Sequence, residues 1–423
     1  MTTGRTRTAA ATAVGLALLL AVGCSSGGDR NSDRDNSDVQ LKVDKREALA
    51  DEPVRIQVTG LDAGQKVEVT SQATDFDGMR WTGRAEFAAD KKGTVDLNRA
   101  RPSSGTYEKA DGMGLFWSME PAKGKPDDSF FAPRWPVGQS SYEVHLAVET
   151  DGEQVASERL IRTWLNEGVT HRTLTAAKDG VVGTLYLPAA GTERRPPVLN
   201  LGGSEGGVSD PYSAALWASR GHPVLALCYF GCAERPENLG RIELDYFASA
   251  ARLLHREAGA PGQRPTVVGT SRGSEAAQLL GQYHPDLVHH VVLFAPSENT
   301  NPGFPIGRDP AWTKDGKAIE HTGIPLDRVR GTVLAVGGGK DGLWPAKDSA
   351  KRIAEQRGAS GQQHRALTYD DAGHSFGMPP YRPTGLRFKH PVHGAAIDMG
   401  GTRVANEHAR SDSWAQVLQV LRS

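Results

Sequence analysis

A chain of 423 residues with 38% hydrophobic side chains carries enough apolar material for two domains on the usual scale of about 100–200 residues each. Its 49 basic residues are balanced by 50 acidic ones, so no excess of positive charge points to nucleic acid as a partner. Past the first two dozen residues no apolar run approaches the roughly 20 needed to cross a bilayer.

The N-terminus has the pattern of a targeting segment. Arg5 and Arg7 make a positive start, and Ala9 to Val22 form an apolar stretch too short for a membrane span. It closes on Leu20-Ala21-Val22-Gly23-Cys24, a small residue directly before a cysteine, which resembles a bacterial lipobox with Ala21 where leucine is usual. Residues 1–24 are then a lipoprotein signal peptide, with Cys24 as the lipidated residue. Residues 25–38, rich in Ser, Asp, Asn and Gly, are a flexible tether to the outer face of the bacterial cell membrane. The alternative is a plain secretory signal with an incidental cysteine. Export follows on both readings.

From 39 to 165 the pattern is β. VRIQVTG, QKVEVTSQATD, RWTGRAEFAA, GTVDLNRA and YEVHLAVETDG alternate apolar and polar residues between Gly, Asp and Pro turn signals. Short strands without a long helical period predict an antiparallel β-sandwich-like N-terminal domain. Within it Gly112 to Pro121, GMGLFWSMEP, is unusually rich in large apolar residues. It reads either as a lip over an active site or as packing between domains.

The texture changes beyond Val169, with Arg162 to His171 as the join. VVGTLYLP, PPVLNLGG, HPVLALCYF, PTVVGTS, HHVVLFAP and GTVLAVGGG are apolar strands, and helical stretches such as SAALWASRG and ELDYFASAARLLHREAG separate several of them. Continuous Val/Leu strands alternating with helices predict a mostly parallel sheet covered on both faces, an α/β domain over 170–423. Cys228 and Cys232 lie in CYFGC. Export permits a disulfide between them, and the alternative is a core cysteine beside an incidental loop cysteine. Neither has Cys or His partners at metal-ligand spacing, so no metal is expected.

The stretch TVVGTSRGSEAAQLL, from Thr266 to Leu280, passes from an apolar strand into a helix through Gly269-Thr270-Ser271-Arg272-Gly273. This is a G-x-S-x-G nucleophile elbow. The sharp turn pushes the Ser271 hydroxyl out at the carboxyl edge of the sheet, and the flanking glycines leave room for the chain to double back. The helix N-terminus aims the amide of Arg272 at the place where an oxyanion forms. A serine nucleophile needs a base, and the base needs an orienting acid; on an α/β-hydrolase sheet they follow in the order Ser, Asp, His, each after a strand. Asp341 follows the strand VLAVGGG, and His374 follows HRALTYDD in an Ala-Gly-His turn. Asp348 and Asp371 are rival acids, the first inside a helical stretch and the second too close to His374 to turn back on it. The glycine-rich turn after PPVLNL, Gly202 to Gly207, offers backbone N–H groups to an oxyanion, with Ser204 or Gly203 as the donor. It lacks the G-x-x-x-x-G-K-[ST] spacing of a phosphate loop, and no cofactor is expected.

With these residues in hand the chain resembles the acyl-CoA thioesterase and bile acid-CoA:amino acid N-acyltransferase family. The likeness runs through DEPVRIQVTGL, GMGLFWSMEP, LGGSEGG, GHPVLALCYFG, LDYFASAARLL, GTSRGSE and the layout AGHSFGMPPYRP followed by HGAAIDMGGTRVANEHARSDSWAQVLQVLRS. The resemblance implies a β-sandwich-like domain on an α/β-hydrolase domain, with the triad Ser271, Asp341 and His374. The acyltransferase branch carries cysteine at the elbow, so Ser271 favours a serine hydrolase that cleaves acyl thioesters through an acyl-enzyme. Alternatives are an extracytoplasmic carboxylesterase or acyltransferase with the same triad, or a non-catalytic binding lipoprotein. Arg194, Arg195, Arg308 and Lys314 are the basic candidates for the charged end of a CoA substrate, and solvated surface charge is the competing account of each.

Overall fold

The computed structural model describes residues 38–132, 138–305, 307 and 309–423. The signal segment, Cys24, nearly all of the tether and Arg308 lie outside them. Among the described residues no helix is long and apolar enough to cross a membrane.

The N-terminal half is built on a sheet with the strand order Glu47–Leu49, Glu153–Thr163, Ser141–Thr150, Lys66–Thr74, Arg80–Ala88, Ser104–Gly105. Alternation sets its faces: Val67, Val69, Ser71 and Ala73 point inward, and their neighbours are half-buried or exposed. A three-stranded sheet of Gln40–Val43, Ile56–Thr59 and Val95–Asp96 accompanies it, and buried residues of both sheets share one core. One pairing departs from the antiparallel expectation, since Glu47–Leu49 runs parallel to Ile161–Thr163.

Gly114–Trp117 forms a single buried helical turn against this sheet. Ser71 Oγ donates to the Leu115 carbonyl at 2.5 Å, and Trp117 Nε1 donates to Asp111 Oδ2 at 2.7 Å. The segment is packing inside the sandwich, not a lip. Its end reaches the C-terminal half, where the Met119 carbonyl accepts from Arg403 at 3.0 Å. A second junction uses Asp51, whose carboxylate accepts from Arg220 at 2.8 Å and from Trp414 Nε1 at 2.6 Å.

The C-terminal half is an α/β fold around eight strands, here β1 (Thr170–Leu174), β2 (Val182–Leu187), β3 (Val198–Leu201), β4 (Val224–Cys228), β5 (Thr266–Thr270), β6 (Val291–Phe294), β7 (Val333–Gly338) and β8 (Arg365–Tyr369). Their order is β1-β2-β4-β3-β5-β6-β7-β8. From β4 onward every neighbouring pair is parallel, while β2 pairs antiparallel with both β1 and β4. All residues of β3, β4, β6 and β7 are buried, which is why these strands read as apolar runs, interrupted by Asn200 in β3.

Five helices cover the sheet: α1 (Pro211–Ser219), α2 (Leu244–Glu257), α3 (Arg272–Tyr283), α4 (Ala346–Glu355) and α5 (Arg403–Arg422). Helix α1 starts on Asp210, whose carboxylate caps the amides of Tyr212 and Ser213 ahead of Pro211 at the first position. Helix α2 buries Leu244, Phe247, Ala248, Ala251 and Leu254, one helical face. Because β3 lies between β4 and β5, the turns after β3 and β5 emerge side by side, with Leu201 opposite Gly269. That is the switch point where open α/β sheets form their clefts.

Candidate active site

Strand β5 turns into α3 at Ser271, which adopts φ 55° and ψ −120°. A non-glycine residue in this region carries about 1–3 kcal/mol of strain, held here by the surrounding chain. The elbow glycines are explained by close approach. A Cβ on Gly269 would meet the Gly273 carbonyl at 2.3 Å, and one on Gly273 would meet the Gly202 and Leu201 carbonyls at 2.4 and 2.6 Å. Ser271 is 6% exposed at the sheet's carboxyl edge. Arg272 opens α3 with its amide unclaimed among the described residues, while its side chain bonds the Pro302 and Asn301 carbonyls and pairs with Glu275.

Asp341 and His374 meet. Asp341 Oδ2 accepts from His374 Nδ1 at 2.7 Å, and the side chains are 1% and 3% exposed. Asp341 Oδ1 accepts the amides of Leu343 at 2.8 Å and Trp344 at 3.2 Å. The aspartate is fully oriented, so His374 carries its proton on Nδ1 and keeps Nε2 free to accept one. The Trp344 ring stands edge-on to His374 at 5.2 Å, tied to the Ala295 carbonyl through Nε1. The rival acids face away: Asp348 is exposed on α4 and Asp371 is exposed beside the turn.

The histidine turn is fastened from behind by α5. Gly373 N–H donates to Asn406 Oδ1 at 2.6 Å, and His374 N–H donates to the Met399 carbonyl at 2.7 Å. Glu407 accepts from the Tyr381 amide and pairs with Arg410, and both are buried. Burial pushes the Glu407 carboxyl up, against the pull of Arg410. On its other side the turn presses on the elbow, since a Cβ on Gly377 would sit 2.8 Å from Thr270 Oγ1. Ser271 and His374 thus share one edge of the sheet, and no hydrogen bond joins their side chains among the described residues. Such bonds tighten only with substrate in many hydrolases.

The turn after β3 lies against the nucleophile: a Cβ on Gly203 would be 3.1 Å from Ser271 Cβ. Of the two donors expected there, Gly203 is already engaged, its N–H donating to Glu205 Oε1 at 2.8 Å. The Ser204 amide has no acceptor among the described residues. Ser204 Oγ bonds His390 Nε2 at 3.0 Å; because His390 Nδ1 accepts the Val392 amide, Nε2 is the donor. Tyr229, between the disulfide-bonded Cys228 and Cys232, donates to the Gly202 carbonyl at 2.6 Å.

Of the basic residues considered for a charged substrate end, the described ones, Arg194, Arg195 and Lys314, do not gather here. Arg194 and Arg195 precede β3, at the opposite edge of the sheet, and Lys314 pairs with Asp315 at 3.0 Å. Among the described residues no three His, Cys, Asp or Glu side chains are grouped to hold a metal. Sequence reasoning did not single out Glu205, Asn406, Trp344 or His390. The signal for Trp344 was its place three residues after the acid; the others reach the site from distant segments or by folding back.

Two family models match parts of the chain. Residues 51–176 match the acyl-CoA thioester hydrolase/BAAT N-terminal region, and residues 308–423 match the BAAT/acyl-CoA thioester hydrolase C terminal. The chain is 28% identical over 399 residues to acyl-coenzyme A thioesterase 6 of Mus musculus, covering 87% of this chain and 92% of the relative. It is 28% identical over 414 residues to acyl-coenzyme A amino acid N-acyltransferase 1 of Mus musculus, covering 91% and 97%. Against acyl-coenzyme A thioesterase 1 of Homo sapiens it is 28% identical over 403 residues, covering 87% and 92%. Among solved structures, a putative dienelactone hydrolase from Klebsiella pneumoniae aligns with 60% of this chain and 98% of its own, at 14% identity and a TM-score of 0.41.

Proposed function

We propose, for a chain that belongs to the acyl-CoA thioester hydrolase/BAAT family, that Ser271, His374 and Asp341 hydrolyse acyl thioesters through an acyl-enzyme. The observation that carries this reading is the Asp341–His374 pair, oriented at both carboxylate oxygens, beside the strained serine of the elbow. Ser271 Oγ attacks the thioester carbonyl while its proton passes to His374 Nε2. The amides of Arg272 and Ser204 receive the oxyanion, each such donor contributing about 3 kcal/mol in related sites. Collapse breaks the C–S bond; a thiol with a pKa near 8.5 is a good leaving group, and the departing thiolate takes the proton from His374, which returns Nε2 to its neutral form. Water then gives a proton to His374 as its oxygen attacks the acyl-serine, and collapse returns that proton to Ser271 Oγ and frees the acid. The intermediate is an oxygen ester, which water can cleave under base catalysis, and this favours hydrolysis over transfer to an amine.

Purified chain lacking residues 1–24 should release thiol from acyl-CoA, and Ser271→Ala should abolish the release with an unchanged thermal midpoint. Equal rates for the two proteins on thioesters and matched esters would remove the catalytic reading. Faster turnover of the ester would make the protein a carboxylesterase, and product on added amine an acyltransferase. Failure of Ser271 to react with a fluorophosphonate would favour a binding lipoprotein.

Export and a lipid anchor at Cys24 complete the proposal, on the strength of the basic start, the apolar stretch and the terminal Gly-Cys. In a bacterial host, Cys24→Ser should move the protein from the membrane fraction to the soluble one. No change in fractionation would refute the anchor.

A further inference from the structure

Glu205 is the one ionisable side chain of the turn 202–207, and neither the triad nor the two oxyanion amides account for it. Its carboxyl folds back onto its own turn. Oε1 accepts the Gly203 N–H at 2.8 Å. A Cβ on Gly202 would lie 2.9 Å from Oε1, and one on Gly203 would lie 2.7 Å from Oε2. The paired glycines are therefore the space this carboxyl occupies. The same Gly203 position faces the nucleophile, 3.1 Å from Ser271 Cβ and 3.5 Å from its Oγ.

The peptide is gripped from the other side as well. The Tyr229 hydroxyl bonds the Gly202 carbonyl at 2.6 Å, with the Gly203 carbonyl at 3.2 Å. Two successive glycines have little conformational preference of their own, so without such grips this peptide could turn over. Glu205 holds the N–H and Tyr229 the carbonyls, and the next amide, Ser204, is left without an acceptor among the described residues. Glu205 is exposed to the cleft and yet crowded by protein; that crowding pushes its carboxyl up, the nearby His374 pulls it down, and Asp210 adds to the rise.

We propose that Glu205 is a positioning residue for acyl transfer at Ser271: by holding the Gly203 amide it fixes the Ser204 amide as the second oxyanion donor. The inference rests on the Ser271 reading above. Its test uses Glu205→Ala and Glu205→Gln in the chain lacking residues 1–24, with thiol release from acyl-CoA and the rate of Ser271 labelling by a fluorophosphonate. Glu205→Ala should lower kcat by about 10- to 100-fold, part of the 10²–10³ that a whole oxyanion donor supplies, with KM within about threefold. Labelling should slow in parallel. Glu205→Gln, whose amide oxygen can accept the same N–H, should stay within about threefold of wild type. Both variants should stay folded, with a cooperative thermal transition that shows the loss to be in catalysis.

Wild-type kcat and labelling in Glu205→Ala would overturn the proposal. So would equal losses in Glu205→Ala and Glu205→Gln, which would assign the role to charge, or a rise in KM alone, which would assign it to substrate binding. Wild-type protein that neither turns over nor labels would instead fail the Ser271 reading, and the proposal would fall with it.

Discussion

Replacing Asp341 by Asn keeps the shape of the side chain and removes one acceptor. The carboxylate takes three hydrogen bonds, two at Oδ1 from the amides of Leu343 and Trp344 and one at Oδ2 from His374 Nδ1. An Asn oxygen would remain on the two backbone amides, and its NH₂ group would face the imidazole. His374 could then keep that contact only by moving its proton to Nε2, the nitrogen that has to take the proton of Ser271. With the side chains 1% and 3% exposed, water cannot take the place of the lost acceptor. The same exchange in serine protease triads costs about 10⁴ in kcat, or about 5 kcal/mol of transition-state stabilisation. Steady-state thiol release from acyl-CoA should show that loss in kcat with a nearly unchanged KM, and thermal unfolding should show a folded protein. A variant within tenfold of wild type would mean that Asp341 does not set the tautomer of His374, and the triad assignment would fail.

Two further outcomes test the frame around the site. His222 is fully buried, its Nδ1–H donates to the Pro196 carbonyl at 2.8 Å, and burial pushes its pKa down from 6.5 to about 4. Between pH 6.5 and 4 the unfolded chain takes a proton that the native chain refuses, so stability should fall as pH falls, by about 3 kcal/mol over the window at about 1.4 kcal/mol per unit. Urea midpoints at pH 7 and 5 should lie closer together in His222→Phe than in the wild type, with the remaining slope due to His290, also held near 4, and to His284, His289, His364 and His390, which burial also pushes down; an undiminished slope would refute the assignment. Asn406→Ala strands the Gly373 N–H and removes a donor to the Gly400 carbonyl, which should cost about 2–3 kcal/mol and lower kcat as the histidine turn loosens. Asn406→Asp keeps the acceptor and should lose less, whereas an unmoved thermal midpoint in the alanine variant would show that α5 does not fasten the turn.

How much of this was legible in the sequence follows the physics of each element. Strands β3 to β7 were readable because burial on both faces leaves them mostly apolar, and β2 because its Val, Leu and Tyr residues dominate a half-buried strand. Strand β1, THRTL, was not, since it lies at the sheet edge with only Leu174 buried and carries no apolar period. The parallel pairing of Glu47–Leu49 was invisible for a different reason: local alternation fixes which face a strand shows, not which neighbour it chooses. Ser271, Asp341 and His374 were legible because strained strand-end turns demand glycine and because their order along the chain is constrained. Asn406 and Glu205 were not. A polar side chain that serves a turn through space leaves no periodic trace, and Glu205 in SEGG looks like any acidic loop residue until its carboxyl is seen against Gly202 and Gly203.

The strand order also explains how so many separate segments converge on one serine. The β3–β5 pairing sets Leu201 opposite Gly269, so the oxyanion turn and the elbow leave the sheet from adjacent strands and are in van der Waals contact at Gly203 and Gly273. The β7–β8 pairing sets Gly338 opposite Tyr369, so the acid and the base also leave from adjacent strands. The single strand β6 separates the two pairs, and its carboxyl end binds both: Phe294 O accepts the amide of Ser271, and Ala295, one residue on, donates to Val336 O and accepts from Trp344. Nucleophile with oxyanion donors on one side, acid with base on the other, are each assembled by nearest-neighbour hydrogen bonding. Only the width of one strand remains for the fold to set between them, and a rigid central sheet sets that distance better than loops alone could.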